Sequence, residues 1–186
     1  MYKFLTMMTV ADFGSLHGEK MPTPDDTAPA RTQGNAFDAA RSGDSHALQT
    51  HLADGLPPNS SNESGDSLLM LATYHGHLEI VTALLDAGAN PNQCNHKGQH
   101  PLAGVSYKGL APLVALLLEH GADPDGAAGA TRTPLMYAAM YNHATTTTAL
   151  LDAGATVEIS NPEGHTALDL ARQMRAVHTI ALLERR

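Results

Sequence analysis

Residues 76–92 read GHLEIVTALLDAGANPN, and this segment contains one complete helix with its stop signal. The apolar residues Leu78, Val81 and Leu84 recur at a spacing of three, which is typical of a helix with one buried side. Gly88 follows the last apolar residues, and glycine adopts the left-handed backbone that ends helices without steric cost. The segment therefore predicts a helix that packs on one side and stops at this glycine.

Glycines recur at a constant spacing throughout the chain. Four of them close Leu-rich segments at intervals of 33 residues: Gly55, Gly88, Gly121 and Gly154. A second series runs in step with the first: Gly43, Gly76, Gly109, Asn142 and Arg175. Asparagine is the next-best left-handed residue, so only Arg175 departs from the rule. Helix starts follow the same spacing, since Thr133 is a good N-cap and Pro134 suits the first helical position. Each unit is thus a short helix, a stop, a longer helix and another stop.

This repeat resembles the ankyrin repeat family. The likeness rests on the segment TPLMYAA at residues 133–139 and on residues 76–92, and it extends over residues 35–186. It implies an all-α solenoid of about five stacked helix-turn-helix units joined by hairpin-like loops. The family's usual histidine after Thr-Pro-Leu is replaced here by Met70, Ala103, Met136 and Asp169. We therefore expect apolar packing to provide more of the linkage between units.

The five units match the repeat pattern to different degrees. The first and the fifth carry more polar residues than the units between them, which is typical of the caps of a repeat array. The third has a glycine inside its first helix, at Gly104. The fourth has Thr147 where its neighbours carry Val or Ile, so it loses buried methyl area. Its connecting segment, residues 126–130, is rich in glycine and alanine. We predict that the junction of units three and four opens first.

Residues 1–34 do not fit the repeat. The stretch from Met21 to Gly34 is rich in Pro, Asp, Thr and Ala, and this composition predicts a flexible tail. The first eleven residues include a short apolar stretch similar to a secretory signal, but no convincing cleavage site follows. A true start at Met21 would explain the tail equally well. We expect a cytoplasmic protein, with the periplasm or secretion as the alternative.

The composition limits the classes of function. The formal net charge is −8 and no basic stripe is visible, which argues against nucleic acid as the ligand. Only 4% of residues are aromatic, so the core should be aliphatic. The single cysteine, Cys94, excludes an internal disulfide framework. No run of eighteen apolar residues occurs, so no membrane span is expected. We expect a monomer.

Candidate binding residues follow from the resemblance. In ankyrin repeats, partner proteins contact the loop tips and the ends of the first helices, on the concave surface. The positions carried over are Tyr74, His75, His96, Lys97, Gln99, Tyr107, Lys108, Arg132, Met140, Tyr141, Gln173 and Met174. Three of the five tyrosines lie in this set, and tyrosine, methionine and arginine are enriched in protein interfaces. We interpret the chain as a non-catalytic protein-binding module. The alternative is that these tyrosines only shield helix ends.

Metal binding and catalysis are the competing hypotheses. Cys94, His96 and His100 lie in one loop, but zinc usually needs four ligands and no second pair is apparent. No nucleophile, phosphate-binding or metalloprotease motif occurs either. We therefore expect no metal, no cofactor and no catalytic residue. The alternative is a metal-binding or enzymatic protein that uses histidine-rich loops on an ankyrin scaffold.

The partner's identity stays open at this point. The composition looks like that of bacterial ankyrin proteins, and the resemblance leaves three roles: helper of a neighbouring enzyme such as a catalase, neutraliser of a toxin, or host-directed effector. In each role the chain would bind a protein.

Overall fold

A computed structural model of the chain describes residues 28–126 and 132–186, with side chains described from Asn35 onward. Ten α-helices lie in these ranges: α1 (Ala28–Ser42), α2 (Ser45–Ala53), α3 (Leu68–His75), α4 (Leu78–Asp86), α5 (Pro101–Lys108), α6 (Ala111–Glu119), α7 (Pro134–Met140), α8 (Ala144–Asp152), α9 (Ala167–Gln173) and α10 (Val177–Leu183).

The helices form five pairs that stack side by side. The first helices of the pairs, α1, α3, α5, α7 and α9, pack one on the next and make an inner layer. The second helices, α2, α4, α6, α8 and α10, make a parallel outer layer in the same way. In the described ranges, extended pairing is limited to one isolated antiparallel bridge between Ser61 and Ser67. The predicted all-α solenoid of stacked helical hairpins is confirmed.

The turn inside each pair has a left-handed residue at the predicted position. Gly43, Gly76 and Gly109 have positive φ angles, and so do Asn142 (φ 59°) and Arg175 (φ 56°). Arg175 is the residue of this series that is neither glycine nor asparagine, and it adopts the same left-handed backbone as the glycines. The tight connection between the paired helices is therefore the constant element, and the residue type adapts to it.

Three inner helices begin with a side-chain cap. Ser67, Thr133 and Thr166 each accept a hydrogen bond from the backbone N–H three residues later. His100 occupies the corresponding position before α5 and makes no such side-chain bond. Burial lowers the pKa of His100, although a hydrogen bond with the Asn92 backbone and the charge of Asp123 partly oppose this. Helix α5 therefore begins less firmly than α3, α7 and α9.

The core is an aliphatic strip that runs through all five units. The same positions are fully buried in successive units, for example Leu84, Leu117 and Leu150 in the outer layer and Leu69, Leu102 and Leu135 in the inner layer. Met70, Ala103 and Met136, which replace the family's usual histidine, are buried as well. Because neighbouring units complete each other's apolar surface, no unit could bury its core alone.

Histidines at another position link units across the turns. The Nε2 atom of His77 lies 2.9 Å from the carbonyl oxygen of Arg41, and the Nε2 of His143 lies 3.0 Å from that of Tyr107. Each ring occupies the space beside a glycine, so a Cβ added at Gly109 would lie 2.5 Å from the His143 ring. Linkage between units is therefore apolar packing combined with these polar bonds.

A further series of hydrogen bonds, which we call the side-chain ladder, runs along the loops that leave the outer helices. Asn59, Asn92 and Asp125 are spaced by 33 residues, and each accepts a hydrogen bond on its side chain from a backbone N–H of the next unit. The donors are Asn90 at 2.6 Å, Asp123 at 2.8 Å and Thr156 at 2.8 Å. The ladder connects units one to four along this edge.

Helix α1 begins at Ala28, so the predicted boundary between the tail and the repeat domain at residue 34 falls inside this helix. The backbone is helical seven residues earlier than the repeat spacing indicated. The remaining part of the predicted flexible tail, residues 1–27, lies outside the described residues, as do residues 127–131 of the predicted flexible connection. None of the helices in the described ranges is long and apolar enough to cross a membrane.

Candidate functional site

The predicted helix-end residues lie at the ends of consecutive inner helices. Tyr74 lies at the end of α3, Tyr107 at the end of α5 and Tyr141 directly after α7. We call these three residues the tyrosine column. All three are partly exposed, and the stacking of α3, α5 and α7 places them on successive units of the same layer.

Tyr107 is the centre of an aromatic cluster. Its ring meets that of Tyr141 edge to face, with centroids 4.8 Å apart and an interplanar angle of 85°. It also meets the ring of Tyr137 edge to face, at 6.1 Å. Edge-to-face contacts at these distances are favourable, because the positive ring edge faces the negative ring face. The buried Tyr137 thus supports Tyr107, which in turn packs against Tyr141.

Lys108 of unit three contacts Tyr74 of unit two, the first residue of the tyrosine column. Its ammonium group lies 3.7 Å from the centroid of the Tyr74 ring, and it also donates a hydrogen bond to the Tyr74 carbonyl oxygen. A cation over an aromatic face is attracted by the ring's negative face. Burial lowers the pKa of Lys108. Because an ammonium group has three donors, further donors remain for a ligand.

Arg132 lies within electrostatic reach of the column. Burial raises the pKa of Tyr141, and the neighbouring Tyr107 raises it further, whereas the positive charge of Arg132 lowers it. The loop before α7 and the end of α7 therefore contribute to one surface. Both residues belong to the candidate set predicted from the sequence.

His75 extends the aromatic surface toward unit one. Its ring meets the Tyr74 ring edge to face at 5.4 Å and stacks on the ring of His77 at 6.0 Å. His77 in turn is held by its bond to the Arg41 carbonyl. The tyrosine column is thus continued by a histidine that is positioned from both sides.

The loop-tip candidates divide into two groups. His96 and Lys97 are exposed. Gln99 accepts a hydrogen bond from the Asn95 side chain at 2.7 Å, and its backbone N–H donates to the Asn95 side chain at 3.0 Å. The buried Asn95 also donates to Asp66 of the preceding loop at 2.8 Å. Gln99 therefore helps to shape the loop, whereas His96 and Lys97 contribute backbone N–H groups to it and expose their side chains.

The remaining candidates lie toward the C-terminal end. Met140 is partly buried and packs against the main apolar core. Gln173 and Met174 are exposed at the end of α9, with 46% of Met174 accessible. Single exposed apolar residues are normal on protein surfaces, so the exposure of Met174 by itself does not identify a binding site. The structure thus places Gln173 and Met174 on the surface and Met140 at the edge of the core.

The contribution of Tyr137 was not predicted from the sequence. This residue lies on α7, four positions before Tyr141, which directly follows the helix. Residues at this spacing lie on the same side of a helix. It is 3% exposed and packs with Ala103 and the partly buried Tyr74 and Tyr107. The four-residue spacing of the two tyrosines was the signal that could have identified it.

The histidine-rich loop does not assemble a metal site. No group of three or more His, Cys, Asp or Glu side chains in the described ranges is arranged to hold a metal ion. Cys94 is exposed as a free thiol and His100 takes the capping position described above.

A groove of about 820 Å³ lies on the opposite side of the molecule, between the outer helices α8 and α10. It is open to solvent, and small side chains such as Ala144, Ala149 and Ala181 contribute to its lining. Asp152 and Arg185 lie at this groove as well. Because α8 and α10 belong to the outer layer, the groove is separate from the tyrosine column.

Comparison with known proteins agrees with this architecture. The profile of ankyrin repeats (three copies) matches residues 36–128 and 105–184, so the chain belongs to the ankyrin repeat family. It is similar to an ankyrin repeat protein of Pseudomonas aeruginosa, with 60% identity over 45 residues. This match covers 24% of the chain and 26% of the relative. Ankyrin repeats generally mediate protein–protein interaction and are typically non-enzymatic.

Proposed function

We propose that this chain is a non-catalytic binding module that captures a partner protein on the inner surface formed by the tyrosine column and the adjoining loop tips. The observation that carries the proposal is the edge-to-face packing of Tyr107 with Tyr141 at 4.8 Å, supported from below by Tyr137. Rings held in this way lose little conformational freedom when a partner binds.

Two features support binding over simple shielding of helix ends. The tyrosines remain partly exposed, although the core beneath them is already closed by buried aliphatic residues. Lys108 and Arg132 also lie beside the rings, and a surface that combines aromatic rings with cations is typical of binding hot spots. A shielding role would require neither the exposure nor the charges.

The test is a triple variant, Tyr74→Ala/Tyr107→Ala/Tyr141→Ala, compared with the wild-type chain. Proteins retained by the immobilised wild type from a bacterial lysate would be identified, and the affinity of the identified partner would be measured by calorimetry. We expect affinity to fall by about a hundredfold or more, because each hot-spot residue contributes about 2 kcal/mol.

The matched control is Leu78→Ala/Val177→Ala, which removes exposed apolar side chains from the outer layer. This control should bind like the wild type. Far-ultraviolet circular dichroism would establish that both variants keep their helices. Wild-type affinity in the folded tyrosine variant would refute the proposal.

A further inference from the structure

The charged residues of units three and four are sorted by layer. The inner segments of these two units, residues 93–109 and 132–142, contain Lys97, Lys108 and Arg132 and no acidic residue, whereas the inner segment of unit two, residues 60–76, contains Glu63 and Asp66 and no basic residue. The outer segments, residues 77–92, 110–125 and 143–160, contain no lysine or arginine. Their acidic residues are Glu79, Asp86, Glu119, Asp123, Asp125, Asp152 and Glu158.

This separation is hidden in the sequence because the two kinds of segment alternate along the chain. Stacking brings the inner segments together on one side and the outer segments on the other. The net charge of −8 therefore misrepresents the inner surface of units three and four, whose charged side chains in the described residues are all basic. In unit two, Asp66 is buried and accepts a hydrogen bond from Asn95, and Glu63 is exposed in the same loop before α3. Glu163 lies in the loop before α9.

The three cations are placed to meet a ligand on the tyrosine column. Lys97 is exposed at a loop tip, and Lys108 is exposed on the ring of Tyr74. Arg132 is partly buried within electrostatic reach of Tyr141. Glu79, Asp86, Glu119 and Asp152 lie on outer helices, across the thickness of the array, whereas the charge of Asp123 reaches His100 at the start of α5. A field of this kind attracts and orients negatively charged partners and repels positively charged ones.

We propose that the inner surface of units two to four binds an acidic peptide segment of a partner protein. Its carboxylates pair with Lys97, Lys108 and Arg132, and its apolar side chains pack on the tyrosine column. The inference rests on the proposed function and names the chemistry of the partner. Lys97 precedes α5 and Lys108 ends it, so about 12 Å of helix lies between them, and Arg132 lies one helix step of about 10 Å away. An extended segment of about six residues spans about 20 Å and would reach the three cations.

The experiment is a selection of random twelve-residue peptides displayed on phage, with the wild-type chain as the target. We expect the enriched peptides to contain an excess of Asp and Glu together with apolar or aromatic residues. The affinity of the most enriched peptide would then be measured by fluorescence anisotropy. Binding should weaken at high salt, because exposed charge pairs are screened.

Two charge-reversal variants test the inner surface and the outer surface separately. Lys97→Glu/Lys108→Glu/Arg132→Glu should weaken binding of the selected peptide by about tenfold or more. Glu79→Lys/Glu119→Lys/Glu158→Lys reverses three exposed charges on the outer side and should change binding by less than about threefold. A peptide that binds all three chains equally would overturn the inference.

The outcomes also distinguish this inference from the proposed function. Neutral or basic peptides that depend on the tyrosine column would overturn the acidic partner and leave the binding module intact. Failure to enrich any peptide above the tyrosine triple variant would count against both. A labelled strand of twenty thymidine nucleotides that binds more tightly than the selected peptides would identify phosphate as the ligand and overturn the inference.

Discussion

Helices α4 and α8 occupy the same place in units two and four, but they meet the core with different chemistry. Helix α4 buries Ile80 and Val81, whereas α8 buries Thr146 and Thr147 at the corresponding positions. The two threonine hydroxyls have no hydrogen-bond partner among the described residues. Burying an unsatisfied hydroxyl costs about 1–3 kcal/mol. The same two positions of the outer helix therefore contribute less stability in unit four than in unit two.

The loops before the inner helices also indicate a weaker connection at unit four than at unit two. In the loop before α5, the Asn95 side chain bonds to Asp66 of the preceding loop and accepts the N–H groups of Lys97 and Gln99. The sequence has Ala128 at the corresponding position, 33 residues later, outside the described residues. Because an alanine side chain offers no hydrogen bond, this link is specific to unit two and its neighbours. The comparison indicates that the array is held more firmly at its second unit than at its fourth.

The largest expected effect comes from breaking the polar link between units three and four. Gly109→Ala should lower the free energy of unfolding by about 3 kcal/mol. The left-handed backbone at this position costs an alanine about 1–2 kcal/mol, and displacing His143 loses a hydrogen bond worth about 1 kcal/mol. Urea unfolding followed by circular dichroism would measure the loss.

Gly88→Ala is the matched control for that experiment. Gly88 has the same left-handed backbone, with φ +87°, but a Cβ there would meet nothing within 4 Å. It should therefore lose only the backbone contribution of about 1–2 kcal/mol. Equal losses in the two variants would contradict the role assigned to the His143 link.

Hydrogen exchange of the wild-type chain tests the comparison directly. Amides of α7 and α8 should exchange through openings that require about 2 kcal/mol less free energy than those of α3 and α4, because two buried hydroxyls weaken unit four. Protection would be measured amide by amide by nuclear magnetic resonance. If unit two proved the least protected, the predicted early opening of the junction of units three and four would be wrong.

Making α8 more like α4 should reduce the difference. Thr147→Val removes a hydroxyl that is fully buried and unpaired among the described residues, so stability should rise by about 1 kcal/mol. Thermal denaturation would show the gain as a higher midpoint. Thr148→Val, on the exposed side of the same helix, controls for the helix propensity of valine and should change stability by less than about 0.5 kcal/mol.

The smallest effect concerns the helix caps. Burial lowers the pKa of folded His100 below its usual value of 6.5, so the unfolded state binds the proton more readily. The stability that depends on neutral His100 is complete above pH 6.5 and is lost as the pH falls from 6.5 through the lower pKa of the folded state. His100→Thr should abolish this loss and supply the cap that Ser67 and Thr133 provide to α3 and α7.

The free energy of unfolding would be measured between pH 7.5 and 5, and its slope against pH would be compared between the wild type and the variants. His46→Thr, on the exposed surface of α2, controls for the removal of one histidine. An unchanged slope in His100→Thr would show that this histidine takes no part in the acid response.

Most of the fold could be predicted from the sequence because the helix stops recur at a fixed interval. Gly43, Gly76 and Gly109 marked the turns correctly, since glycine alone makes the left-handed backbone inexpensive. Register also placed Arg175 at a turn, although the left-handed backbone that it adopts is not one that arginine favours. The early start of α1 was missed because the composition of residues 28–34 is typical of a flexible tail, and such a composition does not exclude a helix.

The candidate site could be predicted only in outline. Register alone placed Tyr74, Tyr107 and Tyr141 at helix ends, but not the edge-to-face contacts among their rings, which depend on side-chain rotamers. The cation contact of Lys108 with Tyr74 joins residues 34 positions apart and could not be read from either segment. The sorting of charges by layer also required the stacking order, because along the chain the basic residues look scattered.

The side-chain ladder of Asn59, Asn92 and Asp125 has a consequence for how such a protein can grow. Each rung joins a side chain of one unit to a backbone N–H located 31 residues later. A duplicated cassette of residues 60–92, inserted directly after Asn92, would carry both the acceptor and the donor in register. The longer array would find its rungs already in place, so gene duplication could extend the protein without any new interface having to evolve.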